Sequence, residues 1–90
     1  MYFESHLDDY GRWIRDLARA ALRDLGKPES DLVKVVQTAE QPAPNLTIST
    51  PYGDRTFQID REEVVVSPES QIIELVRGHV RFAYEPDDAR

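Results

Sequence analysis

The chain has 90 residues, a net charge of −6 and no cysteine. A chain of this length forms one domain at most, which excludes an enzyme with a cleft between two lobes. The absence of cysteine excludes disulfides, thiolate metal sites and cysteine nucleophiles. Because 40% of the residues are hydrophobic, a packed core is expected. We therefore predict one globular domain over residues 1–84, followed by a flexible acidic tail over 85–90.

The first residues and the hydropathy of the chain indicate the cellular compartment in which it is expected. Residues 1–6 lack the basic start and the apolar run of a secretory signal. The longest aliphatic run, Val64–Val66, is far shorter than the roughly 18 residues that cross a bilayer. The negative net charge opposes long-range attraction to nucleic acid and to anionic lipid. We therefore expect a cytoplasmic protein that does not bind membranes.

An amphipathic helix is predicted over residues 5–25, where apolar residues recur at spacings of three and four. Leu17 lies at the centre of the predicted buried stripe. Gly26 suits a left-handed position after the helix, and Pro28 cannot continue it. The full stripe comprises Leu7, Tyr10, Ile14, Leu17, Ala18, Ala21 and Leu25.

A first strand is predicted over residues 31–38, which are rich in valine. Strict alternation places Leu32 and Val36 on one face of this strand. It places Val33 and Val35 on the opposite face.

A β-hairpin is predicted to follow. Residues 39–44 contain two prolines and form a loop. Residues 46–49 and 56–60 alternate between apolar and polar side chains, which is typical of strands with one buried face. Between them, Pro51–Asp54 offers a proline and a glycine for a turn. Val64–Val66 is compatible with a fourth strand or with the approach to the last helix, and the sequence leaves this open.

A second helix is predicted over residues 68–82. Ser67 suits the N-cap, and Pro68 suits the first helical position. Its buried stripe is predicted to comprise Ile72, Ile73, Val76, Val80 and Ala83. The order of elements is helix, three or four strands, helix. This order predicts an α+β fold, a two-layer α/β sandwich with an antiparallel sheet and both helices on one face.

Four arginines of the first helix form a strip opposite the apolar stripe. At about 100° per residue they fall within about 80° of arc. Guanidinium groups suit phosphate or carboxylate, so the strip could bind nucleic acid, an anionic ligand or an acidic partner. Asp8 and Asp16 lie within one turn of it, so a solvated, ion-paired helix face is the alternative. The four residues are Arg12, Arg15, Arg19 and Arg23, named the arginine face below.

Trp13 lies at the border of the apolar stripe of the first helix. Large aromatic side chains in such a position often contribute strongly to binding another protein. The alternative is that Trp13 forms the rim of the core.

Other chemistry finds little support in the sequence. His6 and His79 lack partners at metal-ligand spacing. No serine lies in a nucleophile elbow, and the four glycines are isolated from one another. We therefore expect neither a metal, nor a cofactor, nor an enzyme.

The start of the second predicted helix, Ser67–Gln71, carries one acidic and no basic residue. The element order resembles that of the double-stranded RNA-binding domain, which grips phosphates with lysines at this point. Since those lysines are missing here, nucleic acid is not expected as a partner.

The function predicted from the sequence is therefore protein binding without catalysis. The expected partner is another protein or further copies of the same chain, bound through an exposed sheet edge or through the arginine face. The alternative is an anionic-ligand or nucleic-acid binder that uses the arginine face, with Trp13 beside it.

Overall fold

The computed structural model describes residues 2–60 and 68–86. Four strands form one sheet in the order β1-β2-β3-β4. The two helices pack against each other and share one core with the sheet, which confirms the predicted α+β fold. The elements are β1 (Phe3–Glu4), α1 (Asp9–Asp24), a 3-10 turn (Glu29–Asp31), β2 (Leu32–Val36), β3 (Asn45–Thr50), β4 (Gly53–Gln58) and α2 (Glu69–Ala83).

Strand β1 was not predicted, and it changes the topology. It pairs in parallel with β2, with Phe3 opposite Lys34 and Glu4 opposite Val35. The sheet is therefore mostly antiparallel rather than wholly so, and the chain begins with a strand. Because β1 has only two residues, it is too short to show the alternation by which strands are recognised.

Helix α1 begins at Asp9, later than the predicted start at residue 5. The N-cap is Asp8, whose side chain accepts a hydrogen bond from the Gly11 amide at 2.8 Å. The Asp8 amide donates in turn to Gln37 Oε1 at 3.0 Å, and Gln37 Nε2 donates to the Pro42 carbonyl at 2.7 Å. Gln37 is the one buried polar side chain among the described residues. It therefore joins the start of α1 to the loop after β2.

The buried face of α1 is rotated from the predicted stripe. Ile14, Ala18 and Leu22 are fully buried, whereas Leu25 is exposed. Leu17, predicted to lie at the centre, is only partly buried and packs at the edge of the core. Because α1 contacts both β2 and α2, the buried face turns toward the junction of sheet and helix.

Strand β2 contains an irregularity that the alternation pattern missed. Its register with β3 shifts between Leu32 and Lys34. Leu32 and Val35 are consequently both buried in the core, whereas Val36 is only partly buried. The predicted pairing of Leu32 with Val36 on one face was wrong, because an extra residue reverses the faces that follow it.

Strands β3 and β4 form the predicted antiparallel hairpin. Leu46 and Ile48 are fully buried, while Thr47 lies on the opposite face and its hydroxyl contacts that of Thr56 at 2.9 Å. Gly53 follows the turn with φ of 109°, a backbone conformation that favours glycine.

Helix α2 starts one residue later than predicted, with Pro68 at the N-cap position. Ser67, the predicted N-cap, and Val64–Val66, the candidate fourth strand, lie outside the described residues. Ile73 is only partly buried. The buried residues of α2 are Ile72, Val76, Val80 and Ala83, as predicted from the spacing.

Tyr84, just after α2, attaches the end of this helix to the segment between α1 and β2. Its hydroxyl donates a hydrogen bond to Asp31 Oδ2 at 2.5 Å. Lys27 Nζ lies 4.8 Å from the centre of the tyrosine ring, in a cation–π contact. Partial burial, and then the hydrogen bond to Asp31, raise the pKa of Tyr84.

The raised pKa of Tyr84 makes stability depend on pH in the alkaline range. The folded chain favours the protonated phenol of Tyr84. The contribution of this phenol to the free energy of unfolding is therefore fully present below about pH 10, and it is lost as the pH rises through the higher pKa of the folded state. We expect Tyr84→Phe to lower the free energy of unfolding by about 1 kcal/mol near neutral pH. In urea titrations this difference should shrink at about pH 11. A difference that is equal at both pH values would contradict a stabilising Tyr84–Asp31 hydrogen bond.

Candidate functional site

The arginine face is bound to carboxylates of the same chain at its N-terminal end. Arg12 forms an ion pair with Asp9, one turn earlier. Arg15 forms an ion pair with Glu4 of β1, and its Nε lies 3.1 Å from Asp16 Oδ1. The hydrogen bond from Arg15 to Glu4 raises the pKa of the Arg15 guanidinium. The Arg15 side chain is only 18% exposed, so little of it faces solvent.

The C-terminal half of the arginine face is also occupied. The Arg19 guanidinium lies 5.1 Å from the centre of the Tyr2 ring. Arg23 donates to Glu29 at 2.7 Å, and this hydrogen bond raises the pKa of Arg23. Each arginine of the face therefore has a partner within the chain, and an external anion would have to displace these partners.

Trp13 lies at the edge of the core beside the arginine face. It is partly buried and packs on the core. Its ring centre lies 6.2 Å from that of Tyr10, with the planes tilted by 58°. The hydroxyl of Tyr10 donates to the Ile59 carbonyl at 3.4 Å. In this position Trp13 covers the core next to a ring that is itself anchored to the chain after β4.

A second surface, which the sequence did not single out, runs along the outer side of α2. It combines two apolar side chains, a glycine and a histidine at helical spacing. Phe82 is 66% exposed, the largest exposed fraction among the described large hydrophobic side chains. We call this surface the α2 ridge. It consists of Leu75, Gly78, His79 and Phe82.

The α2 ridge is held in place from the sheet side. The His79 ring stacks on the Phe57 ring of β4, with centres 4.9 Å apart and planes 3° from parallel. A groove of about 310 Å³ lies beside this stack, with Arg55 and Phe82 among its lining residues. The stack fixes one flank of the ridge, so Phe82 projects from a rigid support rather than from a loop.

Gly78 is an unusual residue at the middle of a helix. A glycine there lowers the stability of the folded helix by about 0.5–1 kcal/mol relative to alanine, because glycine loses more backbone freedom on folding. Neither of the two positive-φ glycines is Gly78. Among the described residues, no neighbouring atom lies within 4 Å of a β carbon built on Gly78. Neither backbone conformation nor packing within the described chain therefore requires a glycine here.

Two further kinds of site are absent from the described residues. Over 2–60 and 68–86, no three potential metal-ligating side chains converge. Over the same ranges, neither helix combines the length and apolar character needed to cross a membrane. Comparison with known proteins gives no match to a protein-family model, to a curated protein or to a solved structure. The function is therefore inferred from the chain's own surfaces.

Proposed function

We propose that this chain acts by binding protein, without catalysis, and that it does so through the α2 ridge. The observation that carries the proposal is the exposure of Phe82, which projects from α2 beside Leu75. A large aromatic side chain on a rigid support contributes much contact area at low entropic cost, which is typical of the central residues of interfaces. Leu75 is partly buried against the core, and its remaining surface lies beside Phe82; apolar surface that lies together is likewise typical of binding sites.

Gly78 supports the same surface by a separate argument. A glycine in a helix interior weakens the helix, and here the described chain gives no packing reason for it. The absence of a side chain allows another backbone to approach α2 closely. The combination of an exposed aromatic side chain with a neighbouring gap fits a surface that receives a partner.

The arginine face is the weaker candidate for the same role. Arg15 is mostly buried in its contact with Glu4 and Asp16, and Arg23 is bound to Glu29. A phosphate or an acidic peptide would gain contacts with these arginines only by giving up the existing ones. The α2 ridge requires no such exchange, because Phe82 already faces solvent.

Site-specific photo-crosslinking tests the proposal. A photoreactive phenylalanine analogue is placed at Phe82 in one variant and at Tyr52 in another. Tyr52 is a matched control because it is also aromatic and 52% exposed, but it lies in the turn between β3 and β4. In the cells that naturally produce the chain, we expect protein adducts from position 82 and none from position 52. Equal adduct yields, or none from position 82, would contradict binding through the α2 ridge.

A further inference from the structure

The α2 ridge of one chain is complementary to the α2 ridge of a second chain when the two helices run antiparallel. A helix rises about 1.5 Å and turns about 100° per residue. Measured from Gly78, Leu75 lies about 4.5 Å toward the helix start and Phe82 about 6 Å toward its end, on the same side of the ridge. A second α2 laid antiparallel across Gly78 would therefore bring its Phe82 against Leu75. The two-fold symmetry would form this contact twice.

The charged side chains that flank the ridge are also complementary between two antiparallel copies of α2. Glu74 lies about 6 Å toward the helix start from Gly78 and Arg81 about 4.5 Å toward its end, both on the other side of the ridge. In the antiparallel arrangement Glu74 of one copy faces Arg81 of the other, again twice. The Glu74 side chain is 73% exposed, and Arg81 is exposed. Arg77, which lies close to both, forms an ion pair with Asp24 of α1 at 3.1 Å and a longer one with Glu74 at 3.9 Å. Because Glu74 is mostly exposed and this second contact is long, Arg81 of another copy would replace only a weak contact within the chain.

From this complementarity we infer that the partner of the α2 ridge is a second copy of this chain. The two α2 helices pack antiparallel across a two-fold axis at Gly78. The inference rests on the proposed function of the α2 ridge and identifies the protein that binds there. It also explains Gly78, since two glycines on the axis let the helix backbones approach closely. The surface is one helix face, so the dimer belongs with small, weak interfaces that form at high protein concentration.

The first test is the mass of the purified chain in solution by sedimentation equilibrium. We expect the mass to rise with concentration from 10.4 kDa toward twice that value. Phe82→Ser should remain at the monomer mass, because it removes the apolar contact. Gly78→Lys should do the same, because two ammonium groups would meet on the axis. Both variants should keep the circular dichroism spectrum of the parent, since neither side chain is needed in the core.

The second test exchanges the flanking charges. Glu74→Arg alone and Arg81→Glu alone should each weaken dimerisation at least tenfold, because each places like charges opposite one another twice. Combining the two substitutions in one chain should restore the dimer, since the charge pairs are then reversed but intact. Glu40→Arg, in the exposed loop before β3, makes the same change in net charge as Glu74→Arg and should leave the dimer unchanged.

The outcomes separate this inference from the proposed function. A parent chain that stays at the monomer mass at every concentration, or a double variant that stays monomeric while the parent dimerises, would overturn the inference. If position 82 still forms adducts with a different protein in cells, the α2 ridge remains a binding surface and only its occupant was wrong. If neither dimers nor adducts form, both proposals fail.

Discussion

Replacing Ile14 with aspartate is expected to unfold the chain at room temperature. Ile14 is fully buried in the core, on the face of α1 that meets the sheet and α2. A buried carboxylate without a partner costs several kcal/mol, against a total stability of about 5–10 kcal/mol for a small domain. The loss of the helical circular dichroism signal without added denaturant would show this result.

Leu17→Asp is the matched control for Ile14→Asp. It makes a similar change in the same helix, at a position that is only partly buried. There the new carboxylate can reach solvent, so we expect a lower melting temperature but a folded chain. If the Leu17 variant unfolds and the Ile14 variant melts like the parent, the buried face of α1 has been assigned wrongly.

Gly11→Ala is expected to destabilise the fold strongly, although alanine is the better helix former. A β carbon on Gly11 would clash with Gln37 Oε1 and lie 3.2 Å from Gln37 Cδ. Gln37 would have to move, which breaks its hydrogen bonds to the Asp8 amide and the Pro42 carbonyl. Leaving polar atoms of the buried Gln37 side chain unsatisfied costs about 1–3 kcal/mol. We therefore expect a loss of about 2–3 kcal/mol in the free energy of unfolding, measured by urea titration.

Gly78→Ala is the control for Gly11→Ala, with the opposite expected sign. No neighbouring atom among the described residues obstructs the new methyl group. At concentrations where the chain is monomeric, the variant should be more stable by about 0.5–1 kcal/mol. Two glycine-to-alanine changes in helices thus have opposite predicted effects. If both shift stability in the same direction, contact with Gln37 is not the reason for Gly11.

Much of the fold could be predicted because its signals are local. The core residues of α2 follow helical spacing, and the alternation around Leu46 and Ile48 predicts the hairpin strand β3. The errors arose where distant residues decide the structure. Strand β1 exists because Phe3 and Glu4 pair with β2. Helix α1 starts where Asp8 caps it, and the Asp8 amide is hydrogen-bonded to Gln37, far along the chain.

Of the two candidate surfaces, the arginine face could be predicted from the sequence, whereas the α2 ridge could not. Helical spacing was enough to predict that the four arginines share a face, but Glu4, Glu29 and Tyr2 reach them only in the folded chain. The stripe predicted for α2 already left Leu75 and Phe82 outside the core, but helical spacing alone does not indicate how far an apolar side chain outside the stripe is exposed. Only the fold shows that Phe82 is largely exposed while Leu75 packs partly against the core. The remaining signal in the sequence was Gly78, a glycine in the middle of a predicted helix.

The most direct measurement mixes two variants that should each be monomeric, Glu74→Arg and Arg81→Glu. In an equimolar mixture, each arginine introduced at position 74 faces a glutamate introduced at position 81, and the native Glu74 and Arg81 face each other. We predict that each variant alone sediments at the monomer mass, while the mixture forms a dimer containing one copy of each. A mixture that stays at the monomer mass, at concentrations where the parent chain dimerises, would contradict antiparallel pairing through the α2 ridge.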